Sequence, residues 1–216
     1  TGDLTAGLFA TIGIVTALYD RMKTGHGQKV DVAMLDSQVA VLENAIARYV
    51  ATGEVPGPLG SRHPSIAPFA TFATRDGHIA IAAAADHIFA TIADVLGKPE
   101  MANDPRYRTN PSRMEHWQDL HADMEAALAA RGSADWLALL EKAGIPCAPL
   151  NNVAQVMADP QVHARNMIVT AEDPDIGPWR MQGNPIKLSA HDDPATRPPA
   201  PDLDADRAAI LKEFGL

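Results

Sequence analysis

Asp3 is the residue of this 216-residue chain whose type and position point most directly to chemistry. It stands at the head of a long apolar run, so a helix beginning there would carry a carboxylate in its first turn. Such a carboxylate can cap the helix by accepting hydrogen bonds from free backbone N–H groups. It can also act as a covalent nucleophile. Position alone favours the cap.

Two other segments carry candidate site residues. His63 lies in a Pro- and Gly-rich stretch, residues 52–68, where a histidine can transfer protons near neutral pH or can be an ordinary polar loop residue. Its position alone favours the ordinary polar loop residue. Ala83, Ala84 and Ala85 precede Asp86, which we expect to cap a helix, so their loop could border a binding site.

Other reactive side chains give weaker signals. The histidines show no His-x-x-x-His spacing with a supporting acid, so the sequence predicts no metal site. Cys147 lies in an apolar segment with no paired histidine, and we predict that it is a small buried hydrophobic residue.

Apolar spacing predicts the elements that must position these residues. Residues 4–22 follow the helical period and end in a turn at Gly25 and Gly27. Residues 30–35 alternate in polarity and predict a strand, followed by a helix that Asp36 or Ser37 would cap.

The rest of the chain mixes strands and helices. Residues 69–74 and 78–82 flank an Asp-Gly turn and predict a β-hairpin. Residues 112–130 predict one helix that opens with a Ser-x-x-Glu capping box. A strand is expected at 167–171, and the Pro-rich segment from 173 onwards reads as a tail ending in a helix at 204–214.

Composition excludes some functions. The formal charge of −9, without a basic stripe, argues against nucleic-acid binding. A single cysteine fits a reducing cytoplasm, where we expect the protein to be located. Asp3 precedes the apolar run and no basic segment does, which argues against a signal peptide. Thr11, Gly13 and Thr16 interrupt that run, so no membrane span is expected.

Four segments, in order along the chain, resemble the family III CoA-transferases. They are GDLTAGLFATIGIVTAL…TGHGQKVDVAMLDS, HPSIAPFATFATRDGHIAIA, AGIPCAPLNNVAQVMADPQVHARNM and GNPIKLS. The superfamily includes formyl-CoA transferase, carnitine CoA-transferase and α-methylacyl-CoA racemase. The resemblance implies the C-terminal portion of an α/β, two-domain fold in an interlocked homodimer.

The resemblance also implies a domain organisation. The Rossmann-like large domain would be incomplete, with its helical and strand part at 1–51 and a linker at 52–68. A small α+β domain would span 69–171. The Pro-rich segment 172–216 would return to pack on the large domain.

The resemblance makes Asp3 the nucleophile. Its carboxylate would attack an acyl-CoA thioester to give a mixed anhydride and CoA thiolate, which returns to form an aspartyl-CoA thioester that the acceptor acid displaces. Coenzyme A and acyl-CoA would be substrates, without a metal. The partners would be the acyl-CoA, a carboxylic acid and a second copy of the chain. Ala83–Ala85 would replace a glycine-rich loop that covers the site in formyl-CoA transferases, and His63 would lie in a neighbouring loop.

Two alternatives stay open. In an α-methylacyl-CoA racemase, Asp3 would share α-proton transfer with a histidine that the resemblance places before residue 1. Alternatively, the chain is an inactive truncated piece that serves in dimerisation.

Overall fold

The structure is a computed structural model that describes residues 1–83 and 85–215. The chain divides into two compact units, Thr1–Gly60 and Ser61–Leu216. The finer division predicted from the sequence stays a prediction. Helices and small sheets alternate along the chain, which confirms the expected α/β class.

The first unit consists of helices. They are α1 (Gly2–Thr24), α2 (Met34–Ala40) and α3 (Glu43–Thr52). The helix predicted over 4–22 is confirmed. It ends where Gly25 takes a φ of 76°, a left-handed conformation that glycine adopts without a steric penalty, and the Gly25 N–H donates to the Arg21 carbonyl oxygen.

The strand predicted over 30–35 is wrong. Residues up to Ala33 belong to no strand, and α2 already begins at Met34. Ser37 therefore lies inside the helix rather than at its cap, and its hydroxyl donates to the Ala33 carbonyl oxygen at 2.9 Å. Six residues of weak alternation could not outweigh the helical preference of the segment that follows.

Helix α1 is strongly apolar. It is 23 residues long, with a mean hydropathy of 1.4 over its most apolar stretch, and none of its residues, all of which are described, is buried. By length and composition alone it could cross a membrane. The expectation that it does not therefore stays a prediction.

The second unit contains the predicted hairpin, which is confirmed. Strands β1 (Phe69–Ala73) and β2 (His78–Ala82) pair antiparallel with Phe72 opposite Ile79, and β3 (Cys147–Pro149) joins the other edge of β2. Alternate side chains of both hairpin strands are buried, so one face of the sheet supplies part of a core.

Helices cover that face. In chain order they are α4 (Asp86–Val95), a 3-10 helix (Pro99–Asn103), α5 (Asn110–Glu115), α6 (Trp117–Leu128) and α7 (Ser133–Lys142). The shared core is aliphatic and aromatic, and its fully buried members include Phe72, Ile79, Ile81, Phe89, Ile92, Leu120, Met124, Leu128 and Leu140. This unit therefore has a hydrophobic core of its own.

The single helix predicted over 112–130 is wrong. The chain leaves helical geometry at His116, between α5 and α6. The expected capping box at Ser112 is wrong as well, because the cap is Thr109, whose hydroxyl accepts from the Ser112 N–H at 3.4 Å.

The final third is more structured than a tail. The short helices α8 (Val153–Ala158) and α9 (Pro160–Ala164) lead into a sheet of order β5-β4-β6, formed by Gly177–Gln182, Ile168–Asp173 and Thr196–Arg197, and α10 (Arg207–Phe214) follows. Gly183 ends β5 against the backbone of Asn166, where a Cβ would overlap the carbonyl oxygen. The strand predicted at 167–171 is confirmed, whereas β5 and β6 were missed.

Candidate functional site

Asp3 lies in the first turn of α1 and is exposed. The N-cap position belongs to Thr1, so Asp3 is not the cap residue that its position in the sequence favoured. The carboxylate stands where the first backbone N–H groups of a helix have no partner within the helix. Those groups and the positive end of the helix dipole favour negative charge there.

Gln38 on α2 lies beside the start of α1. Its carboxamide carbon is 4.0 Å from the point that a Cβ on Gly2 would occupy. Its side-chain nitrogen is buried and has no hydrogen-bond partner among the described residues. Because an unpaired buried donor is costly, this amide is available to a group bound near the start of α1.

His63 lies in the second unit and is half-buried. Its ring stacks on Phe69 with centroids 5.2 Å apart. The Ser65 backbone N–H donates to His63 Nδ1 at 3.2 Å, so Nδ1 is an acceptor and the proton of the neutral ring lies on Nε2. Nε2 is therefore the ring atom that can donate a hydrogen bond.

The alanine segment adjoins the loop that carries His63. Ala83 is fully buried in the core, and its N–H donates to the Pro68 carbonyl oxygen at 2.8 Å. Ala85 precedes α4 in extended conformation and is half-buried, and Ala84 lies outside the described residues. The structure thus joins residues 61–68 to Ala83, while Asp3 belongs to the other unit.

Asp86 does not cap α4 as the sequence predicted. The N-cap is Ala85, and Asp86 is the first helical residue. Its carboxylate instead accepts from Arg113 Nη2 at 2.7 Å.

Arg113 is the residue that sequence reasoning missed. It is completely buried on α5, although arginine is seldom buried unless it is paired. A signal was present in the sequence, because Arg113 shares the helical spacing of the core residues Trp117, Leu120 and Met124. A charge on an apolar stripe indicates a buried partner.

Other reactive groups have ordinary surroundings. Cys147 is half-buried against the core, and burial raises the pKa of its thiol. Across residues 1–83 and 85–215, no three His, Cys, Asp or Glu side chains form a group that could hold a metal ion.

Known proteins are similar to this chain over nearly its whole length. Residues 1–207 match CoA-transferase family III. The acetyl-CoA:oxalate CoA-transferase of Acetobacter aceti is 43% identical over 98% of this chain and 53% of its own length. The succinyl-CoA:mesaconate CoA-transferase of Haloarcula hispanica is 35% identical over 100% of this chain and 54% of its own length.

One solved structure is similar to this chain in both sequence and fold. A CAIB/BAIF family protein from Brucella suis is 37% identical, with a TM-score of 0.83 over 99% of this chain and 55% of that protein. The chain thus spans about half the length of the relatives it matches. Because the match extends over nearly all of its residues, the chain belongs to CoA-transferase family III.

Proposed function

We propose that the protein to which this chain belongs transfers CoA from an acyl-CoA to a carboxylic acid, with Asp3 as the covalent nucleophile. The observation that carries the proposal is the family match over residues 1–207, which includes Asp3 and the segments around it. The relatives named above are transferases for oxalate and for mesaconate. A small dicarboxylic acid is therefore the acceptor class we infer.

The proposed reaction proceeds in balanced steps. An Asp3 carboxylate oxygen bonds to the thioester carbon, the C–S bond breaks, and CoA leaves as the thiolate. The thiolate then attacks the Asp3 carbonyl of the mixed anhydride, which releases the donor acid and leaves an aspartyl-CoA thioester. The acceptor carboxylate attacks that thioester and expels the CoA thiolate, which leaves a mixed anhydride of Asp3 and the acceptor. The thiolate then attacks the acceptor's acyl carbon, so that the new acyl-CoA forms and the Asp3 carboxylate is released.

The surroundings of Asp3 support this chemistry. Each step passes through a tetrahedral oxyanion, and oriented backbone N–H groups stabilise such charge. The first turn of α1 offers those donors, since its N–H groups have no partner within the helix.

The test is replacement of Asp3 in the full-length protein. Asp3→Ala should reduce CoA transfer from acetyl-CoA or succinyl-CoA to oxalate or mesaconate by roughly 10³-fold or more, because no other carboxylate forms the covalent intermediate. Binding of CoA, measured by calorimetry, should persist. Asp20→Ala is the matched control, since Asp20 is an exposed aspartate of the same helix.

Trapping of the covalent Asp3 intermediate distinguishes a CoA-transferase from a racemase. Hydroxylamine added during turnover should convert Asp3 to its hydroxamate, which mass spectrometry of the α1 peptide detects. Absence of the adduct, together with exchange of the substrate α-proton with D2O, would instead indicate a racemase. If the full-length protein transfers CoA and residues 1–216 alone do not, the chain is an inactive piece of the enzyme.

We also infer a homodimer, which the resemblance implies, and a cytoplasmic location, which the single cysteine favours. Sedimentation equilibrium of the full-length protein tests the oligomeric state, and a monomer at micromolar concentration would contradict it. Fractionation of cells tests the location.

A further inference from the structure

The start of α1 offers hydrogen-bond donors from its backbone. Thr1 occupies the N-cap position, and its side chain makes no capping hydrogen bond. The first N–H groups of a helix have no partner within the helix, so those of α1 remain available at the end where Asp3 lies. Such N–H groups favour negative charge but do not select a particular ligand.

Gln38 of α2 supplies a second kind of donor at the same end of α1. Its side-chain nitrogen is shielded from solvent and has no hydrogen-bond partner among residues 1–83 and 85–215. A buried donor without a partner lowers the stability of the fold, and a catalytic role is one of the reasons for which native proteins keep one. Both helices belong to the first unit, so this placement involves that unit alone.

The space beside Gly2 lies between these two sets of donors. A Cβ on Gly2 would stand 4.0 Å from the amide carbon of Gln38 and 4.0 Å from Cε of Met34. Because glycine has no side chain, this space, which we call the Gly2 notch, can admit a small atom. Asp3 is the next residue of the helix, and helical side chains lean towards the N-terminus. The Asp3 carboxylate is therefore directed towards the end of α1 that carries the notch.

We propose that the Gly2 notch binds the reacting oxygen of the Asp3 acyl group and that Gln38 is a catalytic hydrogen-bond donor, an inference that rests on the proposed function. When the acceptor carboxylate adds to the aspartyl-CoA thioester, the thioester oxygen becomes negative. It becomes a carbonyl oxygen again as the C–S bond breaks. Gln38 Nε2 and the first N–H groups of α1 donate to that oxygen, and donors that are in place before the reaction stabilise such charge most effectively.

The kinetic test is Gln38→Met in the full-length protein, because methionine has a similar length and carries no N–H donor. The kcat should fall roughly 100-fold, as it does when one donor to an oxyanion is removed. The KM for acyl-CoA should change by less than about threefold, since the charge develops only after binding. Gln28→Met is the matched control and should change neither constant, since Gln28 is exposed and contacts Asp20 at 3.4 Å.

The melting temperature of the same variant, without substrate, separates catalysis from a structural role. Removal of a buried donor that has no partner should raise the melting temperature of Gln38→Met by about 2 °C. A structural glutamine would give the opposite result. A lower melting temperature would thus show that the amide pairs elsewhere in the full-length protein, and it would overturn the proposal, as would an unchanged kcat.

Two glycine substitutions test the notch itself. Gly2→Ala places a methyl group in the notch at ordinary contact distances, so the protein should fold while kcat falls roughly 10- to 100-fold. Gly7→Ala is the control, because a Cβ on Gly7 meets nothing within 4 Å. Equal kcat values for these two variants would contradict a role for the notch. If the wild-type full-length protein transfers no CoA, the proposed function itself fails, whereas an active wild type with unaffected variants removes only the roles of Gln38 and the notch.

Discussion

The two units differ in where their apolar side chains lie. In residues 1–60, all of which are described, Ser37 is the one buried residue, and Leu8 of α1 is 66% exposed. In the second unit, Leu120 is fully buried among aromatic and aliphatic neighbours. The second unit therefore derives stability from its own core, whereas the first has apolar helix faces without a core. Exposed apolar surface on this scale is typical of surfaces that other protein segments cover.

The largest expected effect is a difference in cooperative unfolding between the two units when each is expressed alone. Residues 61–216 expressed alone should unfold cooperatively in urea, because their core lies within the segment. Residues 1–60 alone should show no cooperative transition, since they bury almost no apolar side chain. Circular dichroism during urea titration measures both. A sharp transition of residues 1–60 would show that the contrast between the units is false.

A pair of leucine substitutions measures the same contrast at single positions. In the 216-residue chain, Leu120→Ala should lower the free energy of unfolding of the second unit by about 2–5 kcal/mol, because it leaves a cavity in the core. Leu8→Ala should change stability by less than about 0.5 kcal/mol, since its side chain is already exposed. Equal losses would mean that α1 is buried in solution.

The smallest effect concerns acid stability of the second unit. The Ser133 backbone N–H donates to the Asp76 carboxylate at 2.8 Å, and this hydrogen bond lowers the pKa of Asp76 below its usual value. Its stabilising contribution is therefore complete above the unfolded-state pKa of about 3.9 and is lost as pH falls through the folded-state pKa. Asp76→Asn should flatten the fall in melting temperature between about pH 4 and 2.

The matched control for that change is Asp135→Asn. Asp135 is an exposed aspartate in the first turn of the neighbouring helix α7. Its replacement should leave the acid slope in place, and an equal flattening in both variants would remove the role assigned to Asp76.

Local patterns in the sequence predicted much of the fold. The periodicity of α1 and the turn between β1 and β2 are determined by residues close together in the chain, and both predictions are confirmed. Strand β5 was missed because Pro178 and the Pro-rich surroundings mask it, although its pairing with β4 is a local hairpin that closes at Asp173 and Gly177. The break at His116 was missed for a different reason, because the apolar spacing continues across it.

The candidate site was predictable only in part. Asp3, His63 and the alanine segment were candidates from residue type and position, the resemblance added the nucleophilic role of Asp3, and their roles at the site stay predictions. The contacts that organise the second unit around them depend on residues far apart in the chain, such as Arg113 with Ala67. No local pattern specifies such a contact, although a charge on the apolar stripe of α5 and α6 marked its position.

The close approach at Gly183 has a genetic consequence. A Cβ there would overlap the backbone oxygen of Asn166, and that backbone cannot yield as a flexible side chain would. Every amino acid that one base change can substitute for glycine carries a Cβ. Missense changes at this codon should therefore be lost under selection whatever the chemistry of the new side chain, in contrast to neighbouring exposed positions such as Gln182.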